Sequence, residues 1–125
     1  MPVSLIEITA AKRQKKHSIN TLKSLEADAI TKHIKSGDCV VALDQRGISM
    51  TSEALVTTLN HWYTGYHRLS LIIGGPDGLC KQLLTRVNHT LSLSTLTLPH
   101  PIARLMLVEQ LYRAWSIMHH HPYHR

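Results

Sequence analysis

At 125 residues the chain has room for one domain with a single core and not for two. Apolar residues make up 43% and charged residues only 18%, which suits a globular chain and leaves less charge than average to cover a monomer's surface. Lys and Arg outnumber Asp and Glu by 14 to 8, so a polyanion is the expected partner; with no apolar run near bilayer length and no signal-peptide layout, nucleic acid precedes membrane and a cytoplasmic protein is predicted.

In chain order, Val3-Ser-Leu-Ile-Glu-Ile8 reads as a strand, followed by the basic run Lys12-Arg-Gln-Lys-Lys-His17, an exposed loop or a phosphate contact. Ser18 offers a cap for a helix in which Ile19, Leu22, Leu25 or Glu26, Ala29 and Ile30 recur at helical spacing, with Gly37 as its expected C-terminal cap. Asp38-Cys-Val-Val-Ala-Leu43 has the unbroken hydrophobicity of a parallel strand covered on both faces, and it runs into a loop, Asp44-Gln-Arg-Gly47. Thr51 caps the next helix, where Leu55, Leu59 and Trp62 share a stripe and Gly65 marks the end.

Leu69 to Ile73 is a third apolar strand, too short for a helix. It stops in Gly74-Gly-Pro-Asp-Gly78, where the backbone is free to turn sharply and approach a bound molecule. A short helix over Leu79 to Val87 leads to Leu91-Ser-Leu-Ser-Thr-Leu-Thr-Leu98, whose alternation predicts a strand with Leu on one side and hydroxyls on the other, ending in Thr97-Leu-Pro-His-Pro101. Pro101 suits the first position of a last helix reaching Met118. That helix is apolar over most of its circumference, so it is expected to pack on the sheet and also to form a dimer interface.

Strand and helix patterns alternate throughout, which predicts a single α/β domain over residues 1–125 with a mainly parallel sheet. In such sheets ligands sit outside the carboxyl ends of the strands, so the loops after Leu43, Ile73 and Leu96 define one candidate site. Several chemistries lack their residues: there is no GxGxxG after a strand, no GxxxxGK[ST] and no GxSxG elbow. Cys39 and Cys80 are far apart with no CxxC spacing, and Cys39 reads as a reduced core thiol. The tail His119-His-His-Pro-Tyr-His-Arg125 could be imagined around a metal. Consecutive histidines cannot all face one ion, however, so no metal is expected and a solvated tail is.

Ile73-Gly-Gly-Pro-Asp-Gly78, Ser92-Leu-Ser-Thr-Leu-Thr-Leu-Pro-His-Pro101, Arg104, Glu109-Gln-Leu-Tyr-Arg-Ala-Trp-Ser116 and His121-Pro-Tyr-His-Arg125 together resemble the SPOUT methyltransferases, specifically those that modify a pseudouridine of bacterial 23S ribosomal RNA. The likeness runs from Pro2 to Arg125, with the blocks in the same order and spacing. It implies helices on both faces of the sheet, a C-terminal trefoil knot, an S-adenosylmethionine cofactor and a homodimer whose active site draws on both subunits. Carried over by position, it puts the cofactor pocket on Leu43, Gly75 and the run Ser94, Thr95, Leu96, Thr97, Leu98 and Pro99.

By the same resemblance Arg113, Tyr123, His124 and Arg125 are the base-positioning and RNA-contacting group. Arg suits a phosphate or base edge, Tyr a stack and His a proton; which residue, if any, is the general base stays open, with His124 preferred to His100, which is expected to stabilise the tied loop. The implied reaction is methylation at ring nitrogen 3 of the pseudouridine, on the 70S ribosome or its large subunit. The chain departs from the family at its start, where a strand and a helix expected ahead of Met1 are lacking. An alternative is therefore a non-catalytic RNA- or ribosome-binding remnant, and methyl transfer from labelled cofactor separates the two.

Overall fold

In the computed structural model, which describes residues 6, 19–74 and 79–124, the apolar run from Cys39 to Leu43 forms the centre of a three-stranded parallel sheet. The elements in order are α1 (Ile19–Thr31), β1 (Asp38–Ser49), α2 (Ser52–Gly65), β2 (Arg68–Ile73), α3 (Lys81–Arg86), β3 (His89–Ser92), α4 (His100–Met118) and a 3-10 turn at Pro122–His124. Strand order is β2-β1-β3. Because β1 is central, its burial is continuous from Asp38 to Ala42, as its unbroken apolar sequence predicts.

Alternate β1 side chains go to opposite faces. Cys39 and Val41 pack with Leu55, Leu59 and Trp62 of α2 and with Ala114 of α4. Val40 and Ala42 pack on the other side with Ile72, Leu79 and Leu83, joined by Ala27 and Ile30 of α1. Helices thus cover both faces, and each fully buried aliphatic such as Leu59 is worth about 2 kcal/mol of transfer free energy. Thr51 caps α2 as expected, its side-chain oxygen accepting from the Ala54 N–H at 3.1 Å.

At the amino end of the sheet Asp38 and Arg68 face each other across β1 and β2. The Asp38 side chain is only 3% exposed and accepts from Arg68 Nη2 at 2.7 Å, Ser70 Oγ at 3.0 Å and the Lys35 N–H at 3.0 Å. The first and largest of these contacts holds the Asp38 carboxyl below its ordinary range against the opposing effect of burial.

Several expectations are corrected. Helix α1 stops at Thr31, well before Gly37; the glycine instead takes φ +89° in the turn entering β1, where a side chain would be strained. The segment Asp44 to Gly47 is not a loop but part of β1, which shifts register against β3 between Leu43 and Ile48. The alternating run Leu91 to Leu98 is strand only as far as Ser92. Beyond it, hydroxyls turn the chain locally: Ser92 Oγ donates to the Ser94 carbonyl at 2.9 Å, and Ser94 Oγ accepts from the Leu96 N–H at 3.0 Å. Helix α3 is shorter than Leu79 to Val87. The Val3 to Ile8 strand (Ile6 apart), the Lys12 to His17 run and the Ser18 cap lie outside the described residues.

Candidate functional site

Of the three candidate segments, those after Ile73 and Ser92 leave the sheet, and Asp44 to Gly47 stays within β1 beside them. Leu43 pairs with Ile73 of β2 and with Leu91 of β3, so Ile73, Leu43 and Leu91 form a single row, at the end of β2, one residue before the end of β3 and midway along the longer β1. From this row the chain continues into Asp44 to Gly47, into Gly74, and into Leu93 to Pro99. Two of these segments are tied directly: Thr97 Oγ1 donates to Gln45 Oε1 at 2.9 Å.

Glycine at position 47 is what lets β1 stay against β3 through its register shift. A Cβ there would stand 2.6 Å from the Thr90 carbonyl oxygen, closer than any real contact. Beside it Asp44 accepts from its near neighbour Arg46, and that hydrogen bond lowers the carboxyl's pKa. On the same edge Leu96 is 71% and Ile48 66% exposed, with Leu98 half-buried. Apolar side chains left open between hydroxyls and backbone amides suit a ligand with one flat apolar face and several polar edges, which is the chemistry of an adenine nucleoside. Pro99 closes the run, its carbonyl accepting from Ile102 and Ala103 N–H groups at 3.0 Å each as α4 begins.

Of the expected cofactor residues, Leu43 and Ser94 to Pro99 therefore stand along one edge, and Gly75 lies outside the described residues. His100 is the first, exposed residue of α4.

Of the expected base-positioning group, Arg113 and Tyr123 meet beside the second half of α4. Arg113 donates through Nε at 3.0 Å and Nη2 at 2.7 Å to Glu109 Oε1, an i,i+4 pair on the helix surface. The Tyr123 hydroxyl reaches the same oxygen at 3.4 Å, and its ring meets Tyr112 edge-on at 4.5 Å. The chain folds back to allow this because His120 adopts φ 55° and the His121 N–H donates to the Ser116 carbonyl at 2.8 Å. Glu109 keeps the Arg113 guanidinium more firmly protonated than an isolated one. The side chain of His124 and all of Arg125 lie outside the described residues. Sequence reading did not single out Gln45 or Glu109 by function; the four-residue spacing of Glu109 and Arg113 was the available signal for the second.

Within the single chain, helix α4 is covered along one side only. Ile102, Leu105, Val108 and Tyr112 are 45%, 66%, 52% and 44% exposed and recur at helical spacing, so one apolar stripe stays open while Leu107, Ala114 and Ser116 are buried. Among the described residues no group of His, Cys, Asp and Glu could hold a metal ion, and no helix is long and apolar enough to cross a membrane.

Comparison with known proteins gives the family. The family model described as "Predicted SPOUT methyltransferase" matches residues 1–124. The chain is 46% identical over 125 residues, all of this chain and 80% of the relative, to the Ribosomal RNA large subunit methyltransferase H of Hahella chejuensis. Proteins of the same name are 42% identical in Saccharophagus degradans, covering 97% of this chain and 78% of theirs, and 44% identical in Paracidovorax citrulli, covering 99% and 81%.

Proposed function

The chain belongs to the SPOUT methyltransferase family, and on that premise we propose that it transfers a methyl group from S-adenosylmethionine to ring nitrogen 3 of a pseudouridine in 23S ribosomal RNA. The observation that carries the reading is the row Ile73, Leu43, Leu91, next to which β2 and β3 end and the segment after β3 is tied to the continuing β1 through Thr97 and Gln45. Leu43, Leu96 and Leu98 supply apolar walls for the adenosine, Ser94, Thr95 and Thr97 with nearby amides supply hydrogen bonds, and Gly75 and Pro99 border the pocket in a trefoil-knotted C-terminal half. The cofactor brings a methyl group already activated on a sulfonium.

What remains for the protein is placement and proton removal. Arg113 and Arg125 hold phosphate or a base edge, Tyr123 stacks against the base, and His124 accepts the proton of the ring nitrogen as it becomes nucleophilic. The acting species is a cytoplasmic homodimer of one domain per chain. The exposed apolar stripe of α4 supports this, because Tyr112 belongs to the stripe and touches Tyr123, so a second copy seated there would meet the first copy's tail. The substrate is the RNA of the 70S ribosome or its large subunit, and the net charge of +6 favours association with it.

Incubating the purified chain with ribosomes and methyl-labelled cofactor tests the reading. Label is expected in large-subunit RNA, at a pseudouridine on mapping. Cofactor or ribosome binding without any transfer would replace this reading with a non-catalytic binding role.

A further inference from the structure

Resting on the methyl-transfer reading above, we propose that Glu109 is a positioning residue for Arg113 and Tyr123, and that Gln110 and Ser52 lock it to the end of the sheet where the cofactor loops emerge. The Glu109 carboxylate divides its two oxygens between two directions. Oε1 receives Arg113 and the Tyr123 hydroxyl, and Oε2 receives Gln110 Nε2 at 2.8 Å. An ionised carboxylate only accepts, so the Gln110 amide must turn its NH2 toward Glu109 and its oxygen away. That oxygen accepts from Ser52 Oγ at 2.7 Å.

Ser52 is the first residue of α2, three positions after β1 ends at Ser49. The hydrogen-bonded line Ser52, Gln110, Glu109, Arg113 and Tyr123 therefore starts at the carboxyl end of the central strand and finishes on the tail. Helix α4 on its own would leave Arg113 and Tyr123 free to swing about flexible side-chain bonds. With both on one carboxylate oxygen, and that carboxylate fixed from its other oxygen, their spread of positions narrows, and tight placement is what in-line transfer demands. Glu109 does not touch substrate in this scheme; its four incoming hydrogen bonds leave it an anchor rather than a base.

Two readouts test the proposal, one of them independent of catalysis. Glu109→Ala should reduce kcat about tenfold or more while cofactor affinity stays within about twofold, and Glu109→Asp should recover part of the loss. Ser52→Ala should shift kcat the same way by about threefold, and in an Arg113→Gln/Tyr123→Phe background Glu109→Ala should cost nothing further, since coupled residues are not additive. Separately, amide hydrogen exchange over residues 119–124 should quicken in Glu109→Ala and Ser52→Ala while β1 keeps its protection. Unchanged tail exchange overturns the proposal whether or not the chain proves to be a methyltransferase. Full additivity of Glu109→Ala with the Arg113/Tyr123 changes overturns it too, by showing that Glu109 acts elsewhere. Absence of any transfer by the wild-type chain counts against the function alone, because the exchange experiment still decides the brace.

Discussion

The guanidinium carbon of Arg113 lies 5.5 Å from the centre of the Tyr123 ring, and the two side chains donate to the same oxygen of Glu109. A cation over an aromatic face, with both polar ends pinned together, makes a preformed unit of the kind that the proposed anionic, stackable substrate would require. Arg113→Lys keeps the charge and loses the planar fork, so transfer to ribosomes should fall about tenfold or more with cofactor affinity unchanged. Kinetics on ribosomes beside calorimetry with the cofactor checks this; equal losses in both would show that Arg113 serves the fold.

At the cofactor edge, the Gly47→Ala chain should be less stable by about 2 kcal/mol, because its Cβ meets the Thr90 carbonyl backbone rather than a yielding side chain. Relieving that clash separates β1 from β3 next to Leu43, so cofactor affinity should fall as well. Urea unfolding and cofactor titration measure the two effects. An alanine variant with wild-type stability would contradict the close approach.

At the other end of the sheet, Arg68→Ala should leave the buried Asp38 carboxylate without its strongest partner and cost about 2 kcal/mol at neutral pH. The sign of the pH dependence follows from the lowered pKa. Because the folded-state value lies below the ordinary 3.8, the pair's contribution is fully present above that ordinary value. It is lost as pH falls through the depressed folded-state value. The stability gap between wild type and Arg68→Ala should therefore close in strong acid, as denaturation followed across the acid range would report. A gap that widened on acidification would refute the assignment.

Along α4, Leu105→Glu or Val108→Glu places charge in the middle of the exposed stripe, at side chains 66% and 52% exposed in the single chain. Neither leaves a core cavity, so the subunit should still fold while the dimer dissociates, visible by light scattering as a halved mass. A dimer that survives both changes would mean that the stripe is not the interface.

How legible each element was depended on whether its sequence signal had one physical cause. The Cys39 to Ala42 run, and the stripe of Leu55, Leu59 and Trp62, are apolar because they are buried, and both folded as their patterns predict. The continuation of β1 through Asp44-Gln-Arg-Gly47 was hidden because polar residues and a glycine there serve an exposed register shift, which has no hydrophobic period. The Leu91 to Leu98 alternation misled for the opposite reason: its serine hydroxyls bond their own backbone and turn the chain instead of lining a strand. Gly37 marked a strained φ correctly but in the wrong element. In the site, the side-by-side placing of Ile73, Leu43 and Leu91 was readable from the α/β pattern, whereas the Thr97 to Gln45 and Ser52 to Gln110 bonds join residues far apart in sequence that no local pattern connects.

The central claim is that the segments leaving the row Ile73, Leu43, Leu91 enclose S-adenosylmethionine. Isothermal calorimetry of the purified chain with that cofactor tests it most directly. Saturable binding near one site per subunit, abolished by Gly75→Val with the dimer intact, is the predicted result; no uptake by a folded wild-type chain, or equal uptake by the Gly75→Val chain, would contradict it.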